Sequence, residues 1–243
     1  MCLILFAVNP NERFRLIVAA NRDELYARPT VNADFWPEHP DILAGRDENM
    51  GGTWLGIDRQ GRFAAVTNFR EEPPAPLPPR SRGDLPLNFL NADTTPLDYV
   101  KDVSTRSETY RGFNLIVADS QSTLYYGNRA GNPRELADGY YGLSNQVLDC
   151  DWPKVIEGRQ RLQKKMESDA DDLSESLFEL LLSSGDDREF SNSFISGDEY
   201  GTRAASVVLK THDGEIYFEE RNFGPGGKFL NSNGYNFNCG YDS

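Results

Sequence analysis

Four times along this chain two strand-like apolar runs flank a short polar turn, and that recurrence confines the fold to one built on antiparallel sheets. Residues 3–8 (LILFAV) and 14–20 flank Asn9-Pro10-Asn11-Glu12, a turn by composition. Residues 53–58 and 62–69 flank Arg59-Gln60-Gly61. A third pair joins 113–119 to 123–127. A fourth joins 203–210 to 215–221 through His212-Asp213-Gly214, the strongest turn signal of the set.

Helical patterning is confined to the stretches between and after these pairs. Residues 82–90 predict one short helix, and Thr95 followed by Pro96 predicts a capped helix to about Val103. Residues 152–166 carry Val155, Ile156, Leu162 and Met166 among charges, an amphipathic pattern. Residues 173–182 follow an acidic lead at 169–172 that suits a helix N-terminus. The order predicts an α+β layered domain, two sheets with helices outside. Residues 73–79 (PPAPLPP) predict a stiff polyproline II surface loop, with a partner-binding ligand or a lid over a nearby site as alternatives.

The 243 residues are enough for a substantial core. A net charge of −13 argues against nucleic acid, whose phosphates need a basic face, and against an anionic membrane surface. No apolar stretch approaches the ~20 residues that span a bilayer, so no membrane insertion is expected. MCLILFAV lacks a basic leader, and a cytoplasmic, reduced protein is expected. Cys2, Cys150 and Cys239 fit no zinc spacing, and an odd number opposes a disulfide framework. His39 and His212 have no partner at ligand spacing, so no metal is expected.

Cys2 carries two readings. It is a buried core residue, or removal of Met1 makes it an N-terminal nucleophile whose own α-amine is the base. Such an amine has a reference pKa of ~7.7–8.0, so part of it is neutral near pH 7. Hairpin geometry brings Asn21-Arg22-Asp23-Glu24 beside the start of the first strand. Asp23 could hold the amine or orient the sulfur; a charged turn is the plainer reading. Asn68 ends a strand and Asn145 follows Gly142-Leu143-Ser144, and side-chain amides in such places suit an oxyanion or a satisfied loop. Arg203 heads a strand, where it anchors an anion or lies on the surface. The glycines from Gly45 to Gly52 could form a backbone anion nest, without the lysine of a nucleotide P-loop.

Taken in order, MCLILFAV, LIVAANRDELYARPT, ILAGRD, GGTWLGID, GRFAAVTNFR, SRGDL, GFNLIVAD, YGLSNQVLDCDWPK, YGTRAASVVL and FEERNF resemble the NRDE family, which includes the eukaryotic transport-and-Golgi-organisation proteins. The resemblance spans residues 1–223 as a single domain and leaves 224–243 as a Gly- and Asn-rich tail, expected to be loosely packed. It implies the N-terminal-nucleophile (Ntn) hydrolase fold, a four-layer αββα sandwich of mostly antiparallel sheets. By similarity to cysteine Ntn amidases it implies Cys2 as nucleophile and base, Asp23 as its contact, Asn68 and Asn145 as oxyanion and second site asparagines, and Arg203 as the late arginine. Asn21 and Arg22 then fall beside the substrate. One departure is Ala20, where those amidases place an arginine.

Two functions follow from this resemblance. One is hydrolysis of an amide, ester or acyl-thioester bond of a small molecule, with no cofactor required. The other is carriage of haem or an acyl-CoA or lipid ligand on the same fold, for which Cys or Tyr would have to serve as the haem ligand. A purely structural role explains neither the N-terminal cysteine nor the strand-end asparagines.

Overall fold

The computed structural model describes residues 2–73, 80–167 and 172–240; the proline-rich segment 74–79 and the acidic lead 169–171 lie outside them. In chain order the strands and helices are β1 (Leu3–Val8), β2 (Phe14–Leu25), β3 (Thr30–Trp36), β4 (His39–Asp47), β5 (Leu55–Asp58), β6 (Phe63–Asn68), α1 (Asp84–Asn91), α2 (Pro96–Thr105), β7 (Phe113–Ala118), β8 (Thr123–Gly127), β9 (Arg134–Glu135), β10 (Gly139–Leu143), α3 (Pro153–Glu167), α4 (Leu173–Leu181), β11 (Tyr200–Thr211), β12 (Glu215–Gly224) and β13 (Lys228–Asn238). All four predicted hairpins and all four predicted helices are present, and every strand pair whose register is resolved is antiparallel.

The chain divides into two compact units, one made of Met1–Arg28, Asp138–Ser144 and Leu148–Phe237, the other of Pro29–Ala137, Asn145–Val147 and Asn238–Ser243. The first unit holds a six-stranded sheet in the order β10-β1-β2-β11-β12-β13. Every residue of β1 and the first ten of β2 are buried, as their unbroken apolar runs require. Helix α3 packs on β1 and β10, and α4 on β2 and β11. The α3 contact is close: a Cβ on Gly158 would lie 2.8 Å from Leu5 Cδ1. Leu5 therefore faces the helices, and by alternation so do Leu3 and its register partner Asn21.

The second unit holds a seven-stranded meander, β3 to β9 in chain order. Helix α1 packs on β5 and β6, and α2 on β7 and β8. Its core gathers Phe89, Leu85, Tyr99, Val100, Phe113 and Leu115. Thr95 caps α2 as predicted, its hydroxyl accepting the Asp98 N–H at 3.2 Å.

Two sequence expectations need correction, and one strand has no signal in the sequence. Residues 45–52 are no anion nest: Gly45 lies within β4 with the Trp54 ring packed where a Cβ would stand. The N–H groups of Asn49 and Met50 turn instead to the chain's own Asp47 carboxylate, each at 3.1 Å. The Gly- and Asn-rich tail does not stay loose, because Lys228–Asn238 add β13 to the edge of the first sheet. Its residues are exposed or half-buried throughout, which is why no alternation marks it as a strand. Strand β10 (GYYGL) is equally silent in sequence; glycines bracket it, and its pairing with β1 makes it a strand.

Candidate active site

Cys2 stands immediately before β1 and is half-buried, outside the fully buried run that follows it. Its carbonyl accepts a 2.6 Å hydrogen bond from Ser144 Oγ, a fully buried side chain directly after β10. The bond follows from the antiparallel pairing of β10 with β1, which sets Leu143 opposite Ile4 and so brings the end of one strand to the start of the other. On the far side β2 pairs Leu3 with Asn21, so Asp23 lies two residues beyond the register partner of Leu3. The hairpin geometry expected from the sequence is present.

Asp23 is buried, 6% exposed. Its Oδ1 accepts a 2.7 Å hydrogen bond from Thr202 Oγ1, from the residue directly opposite on β11. Burial raises the Asp23 pKa above the ordinary carboxylate value, opposed by the Thr202 hydroxyl and by the charge of Lys154. The Tyr200 hydroxyl donates to the Asp23 carbonyl at 3.3 Å.

Arg203 sits at a β-bulge, where the β11 register against β2 shifts between Thr202 and Ala204. Its guanidinium donates to the Arg28 carbonyl, tying the segment that leaves β2. Arg22 is buried and lies 4.0 Å from Glu24. Asn21 serves packing: its Nδ2 donates at 2.8 Å to both Leu181 O, at the end of α4, and Ser193 O. Its Oδ1 is buried without a hydrogen-bond partner among the described residues.

Asn68 and Asn145 belong to the second unit, and there they meet each other. Asn145, 5% exposed, donates from Nδ2 to the Asn68 carbonyl at 2.7 Å, while its own carbonyl accepts the Arg70 N–H at 2.8 Å. Asn68 itself ends β6 with its side chain exposed. Asn114, fully buried, completes the arrangement by donating to Gln146 O and Thr67 Oγ1 and accepting from the Tyr125 hydroxyl. These bonds stitch the short 145–147 segment to β6 and β7.

Sequence reasoning passed over Ser144, Thr202, Asn114 and Lys154 as site residues. Thr202 is legible only through the register that sets it opposite Asp23, and Lys154 reads as one more charge on an amphipathic helix. Among the described residues no group of three or more His, Cys, Asp or Glu could hold a metal ion, and no helix is long and apolar enough to cross a membrane.

The family model described as Transport and Golgi organisation 2 matches residues 1–225. The chain belongs to that family. It is 37% identical over 256 residues to the Transport and Golgi organization protein 2 homolog of Bos taurus, covering 91% of this chain and 92% of that protein. Against the Homo sapiens homolog the identity is 37% over 258 residues, with the same shares covered. Among solved structures, the C2A mutant of the conjugated bile acid hydrolase from Clostridium perfringens superposes with a TM-score of 0.51 at 11% identity, covering 98% of this chain and 92% of that one. That likeness places this member of the Transport and Golgi organisation 2 family in the Ntn-hydrolase fold.

Proposed function

We propose that this chain is a cysteine hydrolase of the N-terminal-nucleophile type, cleaving an amide, ester or acyl-thioester bond of a small molecule. The observation that carries the reading is the half-buried residue Cys2 at the head of β1, its main chain held by Ser144 and the buried Asp23 on the neighbouring strand. A fold likeness to a hydrolase described by replacement of its cysteine 2 supports the same reading.

Loss of Met1 frees the Cys2 α-amine. The amine takes the thiol proton as sulfur attacks the substrate carbonyl, and the C–S bond forms as the carbonyl π pair moves to oxygen. Collapse of that tetrahedral adduct expels the amine, alcohol or thiol leaving group, which receives the proton. Water, deprotonated by the same α-amine, then attacks the S-acyl enzyme; the C–S bond breaks, the acid leaves and the thiol is restored. Asp23 holds the α-ammonium. Asn68 and Asn145 are assigned to the oxyanion from the family pattern, a role worth ~2.7–4 kcal/mol for one donor.

Intact mass after incubation with 4-nitrophenyl acetate tests the proposal. The expected result is a chain without Met1 that gains one acetyl group, and a Cys2→Ser variant whose acetyl, if it forms, stays on as a stable ester. An active protein with Met1 fully retained overturns it. Saturable binding of haem or an acyl-CoA that survives Cys2→Ala, with no adduct in the parent, turns the reading to carriage.

A further inference from the structure

One cation in the first unit makes no hydrogen bond among the described residues and has an aromatic ring beside it: the Lys154 ammonium lies 5.8 Å from the centre of the Trp152 ring. Lys154 is 2% exposed. A buried ammonium without compensating hydrogen bonds is costly, so lysines are rarely left in this state. Two features show that this placement is built. Lys154 is the second residue of α3, and its N–H donates to the Phe190 carbonyl at 3.1 Å. Phe190 is itself held at φ +58, a left-handed conformation that a bulky residue adopts only under constraint, and its ring stacks on Trp152 at 4.1 Å. On the other side, the turn leading into α3 contains Asp149, also left-handed at φ +57, whose Oδ1 accepts the Gly142 N–H at 2.8 Å. Two strained residues therefore fix the start of α3 against β10, and the helix start carries Lys154 inward.

The groups within electrostatic reach of its ammonium are Asp23 from β2, Cys2 before β1, and Cys150 from the turn before α3. Lys154 makes no ion pair within 4.0 Å among the described residues, so it acts on these groups through space rather than by contact. Burial lowers the Lys154 pKa, and Asp23 opposes that shift most strongly.

We infer that Lys154 is the cationic positioning residue of the Cys2 site: with Asp23 it sets the charge around the Cys2 sulfur and favours acyl donors that build negative charge at the reacting atom. The inference rests on the reading of Cys2 as nucleophile. It predicts a substrate class in which charge develops at the carbonyl oxygen within a weakly solvated site, where a fixed ammonium acts more strongly than it would in water.

The test compares alkylation of Cys2 by iodoacetate, an anion, with alkylation by iodoacetamide, its neutral isostere, each rate read by peptide mapping of the full chain. Lys154→Met should lower the iodoacetate-to-iodoacetamide ratio by about threefold or more, the effect of one unit charge at several ångströms in a solvent-like medium. Lys154→Arg should keep the parental ratio, and Asp23→Asn should raise it. A purely structural lysine would change both rates together and leave the ratio alone, and that result in folded Lys154→Met overturns the inference. Should Lys154→Met fail to fold, Asp23→Asn carries the test, and an unchanged ratio there is equally fatal. Alkylation requires no turnover. A protein that never forms the acetyl adduct but shows the charge-dependent ratio loses the hydrolase reading and keeps Lys154; the opposite pattern loses only Lys154.

Discussion

The two units use the same materials, one sheet and two helices each, but wire them differently. In the second unit β3 to β9 follow one another across the sheet in chain order. In the first, β10 pairs with β1 and β11 with β2, so segments more than a hundred residues apart lie side by side. The consequence is chemical. A meander brings together strands that are already neighbours in sequence, and the buried amides of the second unit, Asn114 and Asn145, serve to tie the 145–147 segment to those strands. The non-sequential sheet gathers Cys2, Asp23, Ser144, Lys154 and Thr202 from four separate stretches of chain, and it is there that half-buried and buried reactive groups collect.

Matched truncations under the two helix layers give the largest effects and the most direct chance to break this contrast. Phe89 of α1 and Phe178 of α4 are both fully buried, and each lies beneath an arginine: Arg62 at 4.3 Å from the Phe89 ring and Arg221 at 3.7 Å from that of Phe178. Either change to alanine should cost about 3–5 kcal/mol by loss of transfer free energy and creation of a cavity, measured by denaturant unfolding. The contrast lies in what else moves. Phe178→Ala loosens α4, which packs on β2 and β11, the strands that carry Asp23 and its partner Thr202, so Cys2 acylation should fall as well. Phe89→Ala should lower stability and reduce acylation of the folded fraction less, because α1 reaches the assigned oxyanion residue Asn68 only through β6. Equal losses of acylation in both variants would erase the distinction.

Asn21→Ala comes next. It strips donors from two main-chain carbonyls, Leu181 O and Ser193 O, at an expected cost of about 2–3 kcal/mol. The family motif invites a substrate-contacting role for this side chain, and the structure gives its amide N–H groups to packing. A variant that unfolds earlier but, where folded, binds and reacts like the parent would confirm that division.

The same contrast explains what could be read from the residues alone. The hairpins around Arg59-Gln60-Gly61 and Asp213-Gly214 were legible because turn chemistry and alternation are local. So was the cap at Thr95, and so was the approach of Asp23 to Cys2, since one hairpin joins them. Strand β10 was not, because its status depends on an edge offered 130 residues earlier in the chain. Thr202 and Ser144 were invisible for the same reason: ordinary hydroxyls become partners of Asp23 and Cys2 only through long-range register. Lys154 escaped because helix periodicity predicts which face is buried but not that a charged residue at the helix start turns inward. The family pattern drew attention instead to position 20, where Ala20 carries no charge.

Asp23 offers a pH test of the buried site. Its folded pKa is raised, with burial as the main cause. A carboxylate of that kind penalises the folded state when ionised; the penalty is complete above the folded pKa and vanishes below the unfolded one. Asp23→Asn should therefore be more stable than the parent at neutral pH, with the advantage shrinking as pH falls through the Asp23 titration. Thermal midpoints of both proteins across that range check the sign. An advantage that grows on acidification would mean that Asp23 is held ionised by its neighbours more strongly than burial opposes it.

The smallest effects belong to the helix caps, which sharpen the contrast because the motif is shared and only its chemistry differs. Thr95 caps α2 in the second unit through a neutral hydroxyl on the Asp98 N–H. Asp172 caps α4 in the first through a carboxylate on the Glu175 N–H at 3.1 Å, and that bond, with the Ser174 hydroxyl, lowers its pKa. Thr95→Ala should cost about 1 kcal/mol, much the same at any pH at which the protein folds. Asp172→Ala should cost stability at neutral pH, and the loss should fade as pH falls through the depressed Asp172 pKa, because the protonated parent no longer holds a charge at the helix N-terminus. The pair is therefore best compared as a difference in thermal midpoint between neutral and acid conditions. A Thr95→Ala loss that varied with pH as strongly as that of Asp172→Ala would show that Asp98, whose carboxylate accepts the Thr95 hydroxyl at 2.9 Å, governs the cap of α2 as well.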